Sequence, residues 1–163
     1  TAVWVSTMES TAIRELLADT NWGELDYLLI DMPPGSDRID NIRSLIPELA
    51  GAVEITIPSM LSQHIVTKSI TKNNKMGVPI IGLVENMATY VCPHCEKEGK
   101  LFVGDDVQKL TKKKEIPYIG KIPFDTRVSQ SKSGNLFYNE FKDSITAKAI
   151  AETVDNIENF IKK

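Results

Sequence analysis

The two cysteines of the chain stand three residues apart, in the segment Cys92-Pro93-His94-Cys95. A tight turn of this kind aims both sulfurs at one zinc ion or iron–sulfur cluster. Such sites generally need four protein ligands, so two further ligands are required. Either His94 and His64 complete the set, or a second copy of the chain adds its own cysteine pair across a two-fold axis. His94 lies between the cysteines, which directs its side chain away from their shared metal, and His64 falls on a predicted helix as an ordinary solvated residue.

Two other uses of the cysteine pair stay open. A thioredoxin-like redox pair needs its first cysteine at the start of a helix, which lowers the thiol pKa. The segment 96–100, Glu-Lys-Glu-Gly-Lys, is short, broken by glycine and partly acidic, and is a poor helix start. The second use is a zinc knuckle that merely staples the loop.

The segment 26–35 carries the second candidate site. Tyr27–Ile30 is a short, continuously apolar run, which predicts a strand buried on both faces over 27–31. Asp31 ends this strand, and Pro33, Pro34 and Gly35 then turn the chain. In nucleotide hydrolases a carboxylate at this place orients the Mg²⁺ shell, and a following glycine brings a backbone N–H to the terminal phosphate. The alternative is an aspartate that only caps the next turn.

These two segments and four further stretches, in this order and at these intervals, resemble the Mrp/ApbC-type family of P-loop ATPases that carry iron–sulfur clusters. The resemblance covers nearly the whole chain. Any one of the stretches alone would be a weak signal. The stretches are residues 22–27, 31–35, 84–87, 92–95, 120–125 and 133–134.

For the metal site, the resemblance implies that Cys92 and Cys95 of two chains in a homodimer hold one bridging 4Fe–4S cluster. It further implies that the cluster is passed to apo iron–sulfur proteins.

For the nucleotide, the resemblance implies an ATP site with Mg²⁺ and slow hydrolysis. Asp31 would orient the water shell of the metal, and the backbone of Gly35 would sense the γ-phosphate. Asn86 would recognise the adenine base, since an amide offers both the donor and the acceptor that the adenine edge requires. Pro123 and Asp125 would form another wall of the base pocket, although Asp125 is equally suited to cap a helix.

The phosphate-binding loop of that family has no counterpart in this sequence, because Gly-x-x-x-x-Gly-Lys-[Ser/Thr] does not occur. We therefore expect the chain to be the C-terminal portion of a single P-loop ATPase domain, without the first strand and the phosphate loop. We also expect this portion alone to be inactive as an ATPase.

Size and composition fit one soluble domain. The chain has 163 residues, 42% of them hydrophobic and 25% charged, with a net charge of −3. This charge predicts no general affinity for nucleic acid or anionic membranes, and no apolar run approaches the ~18 residues of a membrane span. A single Cys-x-x-Cys pair is typical of a reducing, cytoplasmic setting.

Alternating strand and helix patterns predict an α/β fold with a doubly wound, mostly parallel sheet of the P-loop NTPase kind. Residues 88–104, around the cysteines, interrupt the alternation and predict an inserted loop or hairpin. The predicted strands are 27–31, 52–57, 78–84 and 118–122. The predicted helices are 6–21 (with a capping box at Ser6), 42–49, 59–72, 107–114 and one that starts at 144.

A rival interpretation is a module related to the partitioning and septum-positioning ATPases, with a structural zinc knuckle. Those proteins share the strand and the proline–glycine turn but bind membranes or DNA. The cysteine pair argues against them. So does the mixed charge of the last helix, in which Glu152, Asp155 and Glu158 stand among the lysines.

Overall fold

The structure, a computed structural model, describes residues 2–33, 39–92, 94–95, 97–102, 104, 106–130 and 136–162. The chain divides into two units, Thr1–Leu49 and Ala50–Lys163.

The first unit contains helices α1 (Ala2–Asp19) and α2 (Ile39–Leu45). The capping box predicted at Ser6 is wrong, because α1 begins at Ala2 and Ser6 lies within it. A capping residue must have a non-helical backbone, and the four residues before Ser6 are already helical. After α1 the chain turns at Gly23, whose φ of 63° is in the left-handed region, and Trp22 Nε1 donates to the carbonyl of Leu17 at 3.1 Å.

The strand predicted over 27–31 is also wrong in this structure. Residues 27–33 are irregular, and the side chains of Tyr27–Ile30 are exposed, Leu29 by 89%. A strand needs a neighbouring strand to satisfy its backbone N–H and C=O groups. The regular elements described in this unit are helices, which bond their own backbone and offer no ladder.

The second unit is built on a sheet of four described strands: β1 (Ala52–Thr56), β2 (Ile80–Val91), β3 (Glu98–Gly99) and β4 (Tyr118–Phe124). β2 is central, with β1 and β4 parallel on its two sides and β3 antiparallel to its last residues. The apolar run that predicts a strand over 78–84 therefore lies in the middle of the sheet. The strand continues to Val91, beyond the predicted end.

Helices connect and cover these strands. They are α3 (Met60–Lys75), α4 (Val107–Lys114), a 3₁₀ helix (Thr126–Gln130), α5 (Phe137–Glu140) and α6 (Ile145–Ile161). Ser59, Asp106 and Ser144 precede α3, α4 and α6, and each side-chain oxygen accepts a backbone N–H of the first turn, as N-caps do. The predicted helices at 59–72, 107–114 and from 144 are confirmed, whereas the 3₁₀ helix and α5 have no counterpart among the predictions.

Two apolar clusters form the core. In the first, Val66 and Ile70 of α3 and Val107 of α4 pack around Leu83 of β2. The second cluster joins Ile81, Val84 and Ile119 of the strands to partly buried residues of α6. Successive residues of a strand, such as Leu83 and Val84, thus belong to different clusters, and each cluster packs against different helices. This arrangement is typical of a doubly wound α/β fold. In the part of the chain that the structure describes, no helix is long and apolar enough to span a membrane.

Candidate functional site

The cysteine pair lies at the tip of a β-hairpin. β2 runs on past the end of β1 and returns as β3, with Tyr90 opposite Gly99 and Val91 opposite Glu98. The backbone N–H of Cys92 donates to the carbonyl of Lys97 at 3.0 Å and closes the loop. At the base of the hairpin, the hydroxyl of Thr89 donates to Glu98 Oε2 at 3.1 Å. Of the loop or hairpin expected around the cysteines, the structure has a hairpin, and its two sides are joined by backbone and side-chain hydrogen bonds.

The turn favours the thiolate form of Cys92. The backbone N–H of His94, followed by the backbone N–H and the thiol of Cys95, donates to the Cys92 sulfur and lowers its pKa. Cys92 is half-buried and Cys95 is exposed, and both thiols are free. Because the thiolate is the form that binds metals, the hairpin offers a soft two-sulfur site that is open to an outside partner.

The described residues of the same chain provide no further ligands. Among them, no group of three or more His, Cys, Asp or Glu side chains could hold a metal ion. His64 and His94 are both described and exposed. A site that the two histidines complete within one chain is therefore not what this structure forms.

Of the three residues predicted for the adenine pocket, Asn86 and Pro123 lie on the adjacent strands β2 and β4, and Asp125 follows β4. Asn86 of β2 is opposite Ile122 of β4, and Tyr90 is opposite Phe124, with an irregularity between these pairs. Pro123 falls within this stretch and is buried, and Asp125 follows directly after β4. Proline has no N–H to offer to a ladder, so a break in the pairing suits it.

The side chain of Asn86 has a defined orientation. Its Oδ1 accepts the backbone N–H of Met87 at 2.9 Å, and Met87 has a φ of 52°, in the left-handed region. Within the described residues the Nδ2 group of Asn86 donates no hydrogen bond. Both N–H groups of the amide and one further oxygen lone pair are thus available to a ligand.

Asp125 is 5% exposed and occupied by local bonds. Its two carboxylate oxygens accept Arg127 Nε at 2.9 Å and a guanidinium Nη at 2.7 Å, and Oδ1 also accepts the Arg127 backbone N–H. These bonds from Arg127 hold the pKa of Asp125 below its usual value. The Asp125 carbonyl accepts the N–H of Val128 in the 3₁₀ helix, so Asp125 begins that helix.

Asp31 belongs to the first unit. It is exposed and lines an apolar groove of about 370 Å³ with, among others, Leu28, Trp22 and Ile42. Gly35 and Pro34 lie outside the described residues, and so do residues 131–135, which include the Ser-Gly pair of the resemblance.

Sequence reasoning missed two contacts beside these residues. Tyr118 donates its hydroxyl to Glu85 Oε2 at 2.5 Å, and burial together with this carboxylate raises the pKa of Tyr118. The rings of Tyr90 and Phe124 lie 6.4 Å apart and join the hairpin base to β4. Both contacts cross between strands, and no spacing along the chain signals them.

The chain is similar to a known family over nearly its whole length. Residues 1–158 match the model of the family described as ParA: NUBPL iron-transfer P-loop NTPase. The chain belongs to this family. The resemblance found in the sequence and the P-loop NTPase type of α/β fold are thereby confirmed.

Individual relatives carry related names. The chain is 35% identical to an iron–sulfur cluster carrier protein of Saccharolobus solfataricus, over 98% of this chain and 55% of that protein. It is 37% identical to a cytosolic Fe-S cluster assembly factor NUBP2 homolog of Trichoplax adhaerens, over 93% of this chain and 59% of that protein.

A solved structure is also similar. A nucleotide-binding protein of Archaeoglobus fulgidus in complex with ADP matches with a TM-score of 0.61 and 34% identity, over 76% of this chain and 51% of that one. The chain thus spans little more than half the length of these similar proteins.

Proposed function

We propose that the protein carries a 4Fe–4S cluster as cargo on Cys92 and Cys95 and passes it to apo iron–sulfur proteins. The observation that carries this proposal is the pair of free thiols, three residues apart, at the tip of a closed hairpin. Thiolates are the ligands that iron–sulfur clusters take. The names of the relatives support an iron–sulfur cluster as the cargo.

The cluster would bridge two copies of the chain in a homodimer. Each hairpin supplies two thiolates, whereas a 4Fe–4S cluster takes four cysteine ligands. The described residues of one chain offer no third ligand beside the pair. A two-fold axis through the cluster completes the set with one kind of interface. The exposure of Cys95 is what such an open, transferable site needs.

We further propose that the longer protein to which these elements belong binds Mg-ATP and hydrolyses it slowly. Asp31 would orient the water shell of the metal and Gly35 would contact the γ-phosphate, while Asn86, Pro123 and Asp125 would surround the base. The ADP complex of the Archaeoglobus protein supports a nucleotide role. In this role Asp125 would act through its fixed turn, because its carboxylate is already engaged by Arg127. The chain by itself should not hydrolyse ATP, since its sequence has no lysine-bearing phosphate loop.

The setting that fits this function is the cytoplasm, where thiols stay reduced. The Trichoplax relative is called a cytosolic assembly factor, which supports this setting. The partners would be apo iron–sulfur proteins, with no role for nucleic acid or membranes.

Anaerobic reconstitution with iron and sulfide, followed by native mass spectrometry, tests the cluster proposal. We expect a dimer that carries one four-iron cluster. Cys92→Ser should abolish the cluster, because only one thiolate per chain remains. His94→Ala is the matched control from the same turn and should keep the cluster, since His94 is not proposed as a ligand. A monomer that takes up only zinc would contradict the carrier role and leave the knuckle as a structural staple.

A further inference from the structure

One strand connects the proposed base site with the proposed metal site. Asn86 and Cys92 lie six residues apart along the same stretch of chain, β2 and its immediate continuation. Between them stands Met87, with a φ of 52°. A residue other than glycine rarely adopts this left-handed conformation unless its surroundings hold it there.

The bond that holds Met87 is identifiable. Asn86 Oδ1 accepts the Met87 N–H at 2.9 Å. The regular pairing of β2 with β4 is interrupted after Asn86, so the ladder does not fix Met87 there. On β4 the buried Pro123 lies in the same interruption and has no N–H to donate. At Met87 the backbone N–H is therefore bonded by the side chain of Asn86, whereas elsewhere along the strand a neighbouring strand bonds such groups.

The residues that follow Met87 are held in place by burial and by side-chain contacts. Ala88 and Thr89 are buried, Tyr90 packs against Phe124, and Thr89 is bonded to Glu98 across the hairpin. The bond between Thr89 and Glu98 holds the two sides of the hairpin together, and the pairing of Tyr90 with Phe124 places the hairpin base on β4. A change of backbone angle at Met87 would therefore alter how the hairpin base lies on β4. The two thiols would move with it.

We propose that Asn86 is a positioning residue for the metal site: its side-chain oxygen holds the left-handed turn at Met87 and thereby directs the hairpin that bears Cys92 and Cys95. This inference rests on the proposed function, in that it assumes a metal bound to these two thiols. It gives Asn86 a role that does not depend on nucleotide.

The amide has separate atoms for the two roles. Oδ1 has two lone pairs, one of which faces the Met87 N–H, and Nδ2 is the group that an acceptor on the base would need. Asn86→Asp keeps an oxygen acceptor for Met87 and removes the donor. Asn86→Ala removes both. These two variants therefore separate the positioning role from base recognition.

The test is an anaerobic titration of the chain with Co²⁺, followed by the sulfur-to-cobalt charge-transfer absorption, which reports thiolates bound to the metal. For the wild type we expect one Co²⁺ per two chains. Asn86→Ala should bind Co²⁺ at least about 10-fold more weakly, the usual scale for loss of a group that orients metal ligands. Asn86→Asp should restore the wild-type affinity.

A matched control is Asn156→Ala. Asn156 of α6 also bonds to the backbone of the sheet through its side-chain amide, but as a donor, from Nδ2 to the carbonyl of Ile119 at 2.9 Å. Its Co²⁺ affinity should equal that of the wild type. Met87→Val is a second route to the same turn, since a β-branched residue tolerates positive φ poorly. It should reproduce the loss seen in Asn86→Ala, and it decides the matter if thermal unfolding shows that Asn86→Ala is not folded.

Two outcomes overturn the inference while leaving the metal site in place: equal affinity of the wild type, Asn86→Ala and Met87→Val, or an Asn86→Asp variant as weak as Asn86→Ala. A wild-type chain that binds no Co²⁺ through its thiols contradicts the proposed function itself, and the inference then falls with it.

Discussion

Arg127 donates three hydrogen bonds to the buried carboxylate of Asp125. Its backbone N–H and two guanidinium nitrogens are bonded to Asp125, and its Cζ lies 5.2 Å from the ring centre of Phe141. Asp125 is almost fully buried, while the Arg127 side chain is about one-third exposed (37%). A charge that is buried to this degree depends on its partner, because water cannot replace the lost hydrogen bonds.

We expect Arg127→Ala to lower the free energy of unfolding by about 1–3 kcal/mol at neutral pH, the usual cost of leaving a buried polar group unpaired. The pKa of Asp125 is lowered by folding, so the contribution of the pair is complete above the ordinary pKa of aspartate, about 4. It is lost as the pH falls from there through the lowered pKa of the folded state. The deficit of the variant should therefore shrink in acid, as urea unfolding at several pH values would reveal.

Lys162→Ala provides the comparison, because Lys162 forms an exposed ion pair with Glu158 at 2.5 Å, one turn earlier in α6. Exposed pairs of this kind contribute at most about 0.5 kcal/mol. Similar losses in the two variants would contradict the structural role given to Asp125.

At this scale, the sequence was informative where chemistry depends on neighbours along the chain. Cys92 and Cys95 could be recognised because three-residue spacing is itself the geometry of a metal knuckle. For Asp125 both a pocket role and a helix cap were compatible with the sequence, and its bonds to Arg127 now favour the cap. The bond between Asn86 and Met87 could not be foreseen, since it follows from a backbone angle that many residue types could adopt.

Among the elements, β2 has the largest consequence for function. Its first half is the buried centre of a parallel sheet, and its second half forms one side of the cysteine hairpin, where it pairs with β3 and, at Tyr90, with β4. The apolar run 78–84 predicted only the first half, because Asn86, Thr89 and Tyr90 are not continuously apolar. The strand predicted at 27–31 failed for the opposite reason: its composition is typical of a buried strand, yet a strand also requires a partner.

The contact between β4 and α6 gives a test of element packing. A methyl group at Gly120 would lie 2.2 Å from Thr153 Oγ1 and 2.8 Å from Thr153 Cγ2. Thr153 is buried and bonded to the carbonyl of Ala149 at 2.7 Å, so it has little room to move. We expect Gly120→Ala to destabilise the protein by about 1–3 kcal/mol through overpacking, measured by thermal or urea unfolding.

Gly99→Ala is the natural counterpart. Gly99 lies in β3, and an added methyl group there would meet no atom within 4 Å. Its effect should stay within about 0.5 kcal/mol, as for surface substitutions in general. If Gly120→Ala is equally mild, then α6 lies less tightly on β4 than the structure indicates.

For the molecule as a whole, the core and the cysteine hairpin belong to the same unit. Both apolar clusters, the four described strands and the hairpin fall within Ala50–Lys163. The match to the NUBPL family model covers residues 1–158, which belong to both units. The sequence pattern predicted one domain across the whole chain, because alternating elements continue through the boundary without a linker. Whether two units fold as one domain depends on the area that they bury against each other. The spacing of apolar residues along the chain does not show this area.

These observations predict that residues 50–163 fold without the first unit. A fragment that contains all four described strands, both apolar clusters and the capped helices α3, α4 and α6 has what a small domain needs for cooperative unfolding. We expect a single urea transition, and amide NMR shifts of the hairpin that match those of the full chain. Because Cys92, Cys95 and Asn86 are all retained, the fragment should also bind Co²⁺ with the affinity of the full chain. A fragment with the circular dichroism of an unfolded chain would show that the first unit is required for folding. A folded fragment with weaker Co²⁺ binding would instead place part of the metal site in residues 1–49.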